Sequence, residues 1–262
     1  DGVRGVANKE LTCQMAFQLG QAAVAFKGRT ILIGKDTRLS GDMLESAVAA
    51  GIMSMGGTAL LAGIIPTPAI ALLTSELHCD GGIVISASHN PPEYNGIKIF
   101  DGQGFKLPDA VEDEIEAFIV NGGLEGEVAA AEEAAWSAAQ AAAPDAPADA
   151  TSYLASEIKM PAGAEVGVVI PLENACDIYI DHAARSIEDQ GISFKGLRIA
   201  LDTGHGASSL TSPEALRRLG AEVIVINDDF DGMDINVQCG STHLGPVCDL
   251  VAEIGADVGI AH

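Results

Sequence analysis

TILIGKDTRLSGDMLESAVAAGIMSMGGTALLAGIIPTPAIALLTSELHCDGGIVIS, residues 30–86, holds three short apolar runs separated by two stretches of helical spacing. Thr30 to Ile33, Thr58 to Ala62 and the GGIVIS run from Gly81 read as strands. Between them, Leu44, Ala47, Val48, Gly51, Ile52 and Met55 mark one face of a helix, and Pro66 and Pro68 open another that ends near Leu77. Strand, helix, strand, helix, strand in succession implies a mainly parallel sheet under helices. Upstream, Leu11, Met15, Leu19, Ala22 and Phe26 predict an amphipathic helix over 10–27 capped near Asn8. Downstream, GIKIF (96–100) and the turn DGQG (101–104) predict a further strand with a hairpin. The grammar repeats later in the chain. Leu172 to about Ile187, Ser212 to Leu219 and Val247 to Ile254 read as helices, and Leu197 to Leu201, Glu222 to Ile226 and Asp257 to Ile260 as strands. The expected fold class is α/β, with two consecutive three-layer domains built on mainly parallel mixed sheets.

Thirty-seven acidic residues against fourteen basic ones give a net charge of −23. That balance argues against a nucleic-acid binder and against attraction to anionic membranes, since both need clustered Lys and Arg. No apolar run reaches the roughly 18 residues of a membrane span, and the opening DGVRGVANKE has no signal-peptide pattern. Five scattered cysteines without a CxxC fit reduced thiols, so a cytoplasmic location is expected. The charge is uneven: residues 1–106 carry eight basic and nine acidic groups, 107–158 none and twelve, and 159–262 six and sixteen. The acidic middle includes an Ala-rich stretch, 129–150, in which Pro144 and Pro147 stop any helix, and it reads as a helix followed by a connector. The chain therefore divides into a first domain over 1–140, a linker or insertion over 141–165 and a second domain over 166–262.

GGIVISASHNPPEYNGIKIF, residues 81–100, runs from a buried-type strand through a polar loop into a second strand. Such a loop lies outside the carboxyl end of a parallel strand, where α/β proteins place their sites. It offers Ser86, Ser88, His89, an Asn-Pro-Pro turn and Lys98. A hydroxyl, an imidazole and a cation so close together suit phosphoryl transfer, in which a protein mainly positions the group and neutralises its charge. A Ser/Asn-rich connection that caps its own backbone has the same composition, and spacing alone does not separate the two.

SASHNPPEYNGIKIF resembles the active-site serine loop of the α-D-phosphohexomutases. DGVRG, GKDTRLSG, the PTPA stretch, LDTGHGA and RLGAEVIVIN also fall in that family's order, and INVQCGSTH (235–243) is most similar to its phosphoglucosamine mutase branch. The resemblance implies the family's first two α/β domains and the interconversion of glucosamine 6-phosphate and glucosamine 1-phosphate. It makes Ser88 the carrier of the phosphoryl group and a metal contact, with His89, Lys98 and Arg4 as further catalytic residues. The implied cofactors are Mg²⁺, the phosphoserine at Ser88 and a hexosamine bisphosphate activator. The implied partners are a sugar phosphate and a second copy in a homodimer, with neither nucleic acid nor membrane. The metal loop of the family, DGDxDR, is expected beyond His262, so the resemblance implies a fragment that is inactive alone.

Mannose or glucose phosphates as substrates, a non-catalytic module derived from the same family, and a serine hydrolase are the competing readings. The last lacks a GxSxG elbow. Lys35, Asp36 and Arg38 read either as cleft-lining charges or as solvated loop residues. His205, the acidic DDFDGMD (228–234) and His78 beside Cys79 read as packing and turn residues rather than ligands.

Overall fold

Ile31, Ile33, Ile83 and Ile85 are completely buried and point to one face of a six-stranded sheet, while Leu32 and Val84 are buried on the other. Isoleucine suits both demands, because β-branched side chains favour extended backbone and pack against neighbours on a pleated surface. A computed structural model of the chain describes residues 2–127, 129, 130, 134 and 161–262. The Ala-rich helix and connector expected over 129–150, and the linker up to residue 160, lie essentially outside the described residues.

The first sheet takes β1 (Val3–Val6), β2 (Thr30–Lys35), β3 (Thr58–Ile64), β4 (Gly81–Ile85), β5 (Tyr94–Asp101) and β6 (Val168–Pro171), in the order β1-β5-β4-β2-β3-β6. Only β5 runs against the others. Helices α1 (Cys13–Lys27), α2 (Gly41–Ser54) and α4 (Asp109–Val120) share the core on the Ile31 face; α3 (Thr67–Glu76) covers the Leu32 face. The second sheet is β7 (Arg198–Asp202), β8 (Glu222–Ile226) and β9 (Val258–Ala261), all parallel, in the order β8-β7-β9. It carries α6 (Ser212–Arg218) and α7 (Gly245–Ile254). Helix α5 (Ala175–Glu188) lies between the two, packing on both α3 and α6. The chain is thus α/β with mainly parallel sheets, as the sequence predicts.

Two local expectations are corrected, and one strand is new. A second domain starting at 166 is at odds with Val168–Pro171, which pairs in parallel with β3 and extends the first sheet. Four apolar residues ending in proline announce a strand but not the sheet it joins. The first helix begins at Cys13, because Asn8 adopts a left-handed turn and Thr12 provides the cap, its Oγ1 accepting from the Met15 N–H at 3.2 Å. The opening VRGV, which lacks any apolar alternation, forms an edge strand because β5 offers it an antiparallel partner.

α1 and α2 cross through bare backbone. A β-carbon on Gly20 would lie 2.2 Å from the Val48 carbonyl oxygen, and one on Gly51 would lie 2.0 Å from the Phe17 carbonyl oxygen. Helix propensity alone makes Gly→Ala stabilising by up to about 1 kcal/mol. Overpacking here reverses the sign, so Gly51→Ala is expected to destabilise the chain by about 1–3 kcal/mol. Denaturant titration checks this, and a stabilised variant would show that the two helices have room to part.

Candidate active site

The strand order contains two reversals. From β2 the chain crosses over α2 to β3 on one side, then returns over α3 on the opposite face to β4 on the other side of β2. From β7 it goes through α6 to β8, then through α7 to β9 on the far side of β7. A crevice opens outside the carboxyl ends of the strands at each reversal. At the first stand residues 36–40 and the serine loop that follows Ile85; at the second stand Asp202-Thr203 and Ala261-His262. These edges face one another across a cleft of about 250 Å³ lined by Asp36, Ser86, Ser88, His89, Thr203, Asn236, Ser241 and His262 among others.

Ser88 and His89 are exposed at this cleft, Ser86 is half-buried and Ala87 is fully buried, so the loop is anchored by one methyl group between two hydroxyls. Ser88 has φ +57°, a left-handed conformation that is uncommon outside Gly, Asn and Asp and that concentrates at functional sites. Its N–H donates to Ser86 Oγ at 3.1 Å. Arg38 holds the loop in this shape. Its buried guanidinium donates through Nη2 to the carbonyls of Ser88 (2.9 Å) and Asn90 (2.8 Å), and through Nη1 to those of Tyr94 (2.9 Å) and Pro91. Nε donates to Asp36 Oδ2 at 3.0 Å. Asp36 lines the cleft, but neither it nor Arg38 is solvated; together they form the internal frame of the loop. Lys35 turns away to Asp42 and Glu45. Burial pulls its pKa down, but those two carboxylates outweigh it and leave the ammonium above the ordinary lysine value.

Arg4 and Lys98 flank the loop without lining the cleft. Arg4 faces Gly96 across the β1–β5 pair, and its Cγ lies 3.0 Å from where a β-carbon on Gly96 would stand; Gly96 in turn accepts the Ser86 N–H at 2.9 Å. Lys98, two residues along, shares that face. Burial, and then the positive charge of Arg4, hold the Lys98 pKa below the ordinary lysine value.

The second sheet contributes a second frame. The completely buried Asp202 carboxylate accepts from Gly204 N (2.9 Å) and Asn227 Nδ2 (3.0 Å) on Oδ1, and from Gly240 N (3.0 Å) on Oδ2. From this frame Asn236 crosses the cleft, its Nδ2 reaching Ser88 O at 2.9 Å and Asn90 O at 3.2 Å. Two further contacts tie the sides together: Thr37 Oγ1 donates to His205 O (2.6 Å) and Leu39 N donates to Gly232 O (3.1 Å). Cys239 is an inert thiol, since burial and the carboxylates of Asp202 and Asp234 push its pKa up to about 11. His205 packs its ring against the 228–234 loop, where Asp231 and Asp234 receive backbone N–H groups of their own turn.

Among the described residues no cluster of three or more His, Cys, Asp or Glu side chains could hold a metal ion. The carboxylates of Asp36, which lines the cleft, and of Asp202 are engaged as above, and Ser88, which the resemblance assigns to Mg²⁺, stands exposed at the mouth. These residues do not form a divalent-cation site by themselves.

Residues 1–125 match the family Phosphoglucomutase/phosphomannomutase, alpha/beta/alpha domain I. The whole chain aligns with phosphoglucosamine mutases of Clostridium novyi (46% identical) and Carboxydothermus hydrogenoformans (45%), covering 51% and 52% of their lengths. The chain thus spans about half the length of these curated relatives. In three dimensions it is similar to a phosphoglucomutase/phosphomannomutase family protein of Burkholderia thailandensis, with TM-score 0.71 and 24% identity over 99% of this chain and 50% of that one. It is also similar to the phosphoglucomutase parafusin of Paramecium, with TM-score 0.52 and 17% identity over 95% and 46%. The first 125 residues thus match that family's domain I, and the whole chain is similar to phosphoglucosamine mutases over about half of their length.

Proposed function

We propose that the whole protein is a phosphoglucosamine mutase that interconverts glucosamine 6-phosphate and glucosamine 1-phosphate, with Ser88 as the phosphoryl carrier. The observation that carries this reading is the exposed Ser88 hydroxyl, held on a left-handed backbone at a cleft between two strand-end crevices. Alignment of the full chain with phosphoglucosamine mutases supports the choice of sugar. A hydroxyl oxygen of the sugar phosphate attacks the phosphorus of phospho-Ser88, the bond from phosphorus to Oγ breaks, and the serine oxygen takes up a proton. The bisphosphate then turns over, and the reverse step returns its other phosphoryl group to Ser88. Arg4 and Lys98 neutralise the phosphoserine, and His89 and Lys98 manage the moving proton. In this reading the whole protein works in the cytoplasm, and a Mg²⁺ held by carboxylates other than those of the described residues would supply polarisation of the phosphoryl group.

In the whole protein, mass spectrometry is expected to find phosphate on Ser88, and Ser88→Ala is expected to abolish turnover. Ser86→Ala keeps most of the activity, because that hydroxyl is half-buried and occupied with the Ser88 N–H. Phosphate on Ser86, robust turnover by Ser88→Ala, or a preference for mannose or glucose phosphates would overturn the assignment at those respective points.

Lys98 generates a pH prediction. Its charged form is disfavoured in the fold, so between the lowered native pKa and the unfolded value of 10.5 the unfolded chain binds more protons. Stability contributed at this site therefore rises with pH through that window. Lys98→Met removes the titration; its melting temperature relative to the parent is expected to be most favourable near neutrality and to decline toward pH 10.5. Turnover of the same variant should fall about 100-fold from lost charge stabilisation. A stability difference that stays flat with pH would remove the electrostatic account of this lysine.

A further inference from the structure

Asn236 sits in INVQCGSTH, a segment whose place in the chemistry is not explained by the serine loop itself. Its side-chain amide and the Arg38 guanidinium meet on the same two acceptors. Ser88 O receives Arg38 Nη2 and Asn236 Nδ2, both at 2.9 Å, and Asn90 O receives the same two nitrogens at 2.8 and 3.2 Å. Each carbonyl has two lone pairs, and each pair is used once from either side of the cleft. With the Ser88 N–H held on Ser86 Oγ and its carbonyl held from both sides of the cleft, the backbone is fixed on either side of the α-carbon, and with it the direction of the Cα–Cβ bond that carries Oγ.

Asn236 is itself held. It adopts φ +61°, its N–H donates to Gly204 O at 3.0 Å, and its Oδ1 lies 3.6 and 3.7 Å from where β-carbons on Gly204 and Gly240 would stand. The N–H groups of those two glycines are the ones fastened to the buried Asp202 carboxylate. A continuous set of contacts therefore runs from Asp202 through Gly204 and Gly240 to Asn236 and on to Ser88. We infer that Asn236 is a positioning residue through which the second sheet sets the aim of the Ser88 hydroxyl. This inference rests on Ser88 being the phosphoryl carrier.

The test uses the whole protein with Asn236→Gly, which deletes the amide but tolerates the left-handed backbone, and Asn236→Asp, which keeps size but turns a donor into an acceptor facing two carbonyls. Misplacing a reacting atom by about 1 Å costs on the order of 100-fold in rate. Asn236→Asp is expected to lower kcat about 100-fold and Asn236→Gly about tenfold, per Ser88-phosphorylated molecule, with KM changed less than about threefold. Asn236→Gln, a longer donor, should recover part of the loss. A purely structural role would lower the melting temperature and the active fraction but leave kcat per phosphorylated molecule unchanged. Values of kcat within about threefold of the parent for both variants would overturn the inference. So would rapid solvent exchange of the Asn236 side-chain amide in the unaltered protein, compared with exposed Asn121, a measurement that needs no variant to fold. An inactive Ser88→Ala alongside fully active Asn236 variants removes the positioning role and leaves the carrier assignment standing. A fully active Ser88→Ala removes the carrier assignment itself.

Discussion

The serine loop depends on one buried cation. A guanidinium has five N–H donors, and all five of Arg38 are used: one on Asp36 and four on loop carbonyls. Burying an unpaired charge costs several kcal/mol, so the Asp36 carboxylate is what allows Arg38 to sit inside the domain, and Asp36 also accepts the Arg38 N–H at 3.1 Å. Lysine could not substitute, because three donors on a point charge cannot span four carbonyls that diverge along seven residues. With the carbonyls fixed, the strained conformation of Ser88, of order 1–3 kcal/mol, is over-determined by its surroundings and persists before any substrate arrives.

The two sides of the cleft are complementary versions of this device. On the first, a buried positive group gathers carbonyls; on the second, the buried Asp202 carboxylate gathers N–H groups. Each lies just beyond the carboxyl end of the central strand of its sheet, β2 or β7, where the strand order reverses. The common topology explains why. At such a reversal the adjoining loops diverge onto opposite faces, their backbone polar groups lose ladder partners, and a single multivalent side chain is the economical way to satisfy several of them at once.

What could be read in the sequence follows from this division. Parallel strands inside a sheet are near-continuous aliphatic runs, so β2, β3, β4 and β7 are legible within a residue or two, as is the aliphatic edge strand β8, and Ser88 and His89 lie on the loop after β4 at the cleft. Edge elements carry weaker signals. VRGV and VVIP depend on β5 and β3 for their partners, and no local pattern announces a pairing with a strand tens of residues away. Arg38 is illegible for a different reason: in KDTRLSG it looks like any loop charge, and only its burial separates a structural clasp from a solvated side chain. The spacing of Asp36 and Arg38, two residues apart between a strand and a helix, is the one local hint that they pair. Asn236 offers less, since its role requires the second sheet to be docked.

The net charge of −23 and the affinity for a phosphoryl group proposed here are compatible because they act at different ranges. Exposed charges are screened beyond about 8–10 Å at physiological salt, so an overall acidic chain steers anions weakly, while contact groups decide binding. Arg4 and Lys98 share one sheet face, and the lowered pKa of Lys98 records in part the work of holding two cations together without an anion between them. A phosphoryl group on Ser88 would supply that anion and raise the proton affinity of Lys98. Its departure to the sugar would lower that affinity again, at the moment when the serine oxygen needs a proton. A neutral residue in place of Arg4 would remove the smaller of the two causes that hold the Lys98 pKa down, burial being the larger, so the lysine would become a stronger base without regaining its ordinary value.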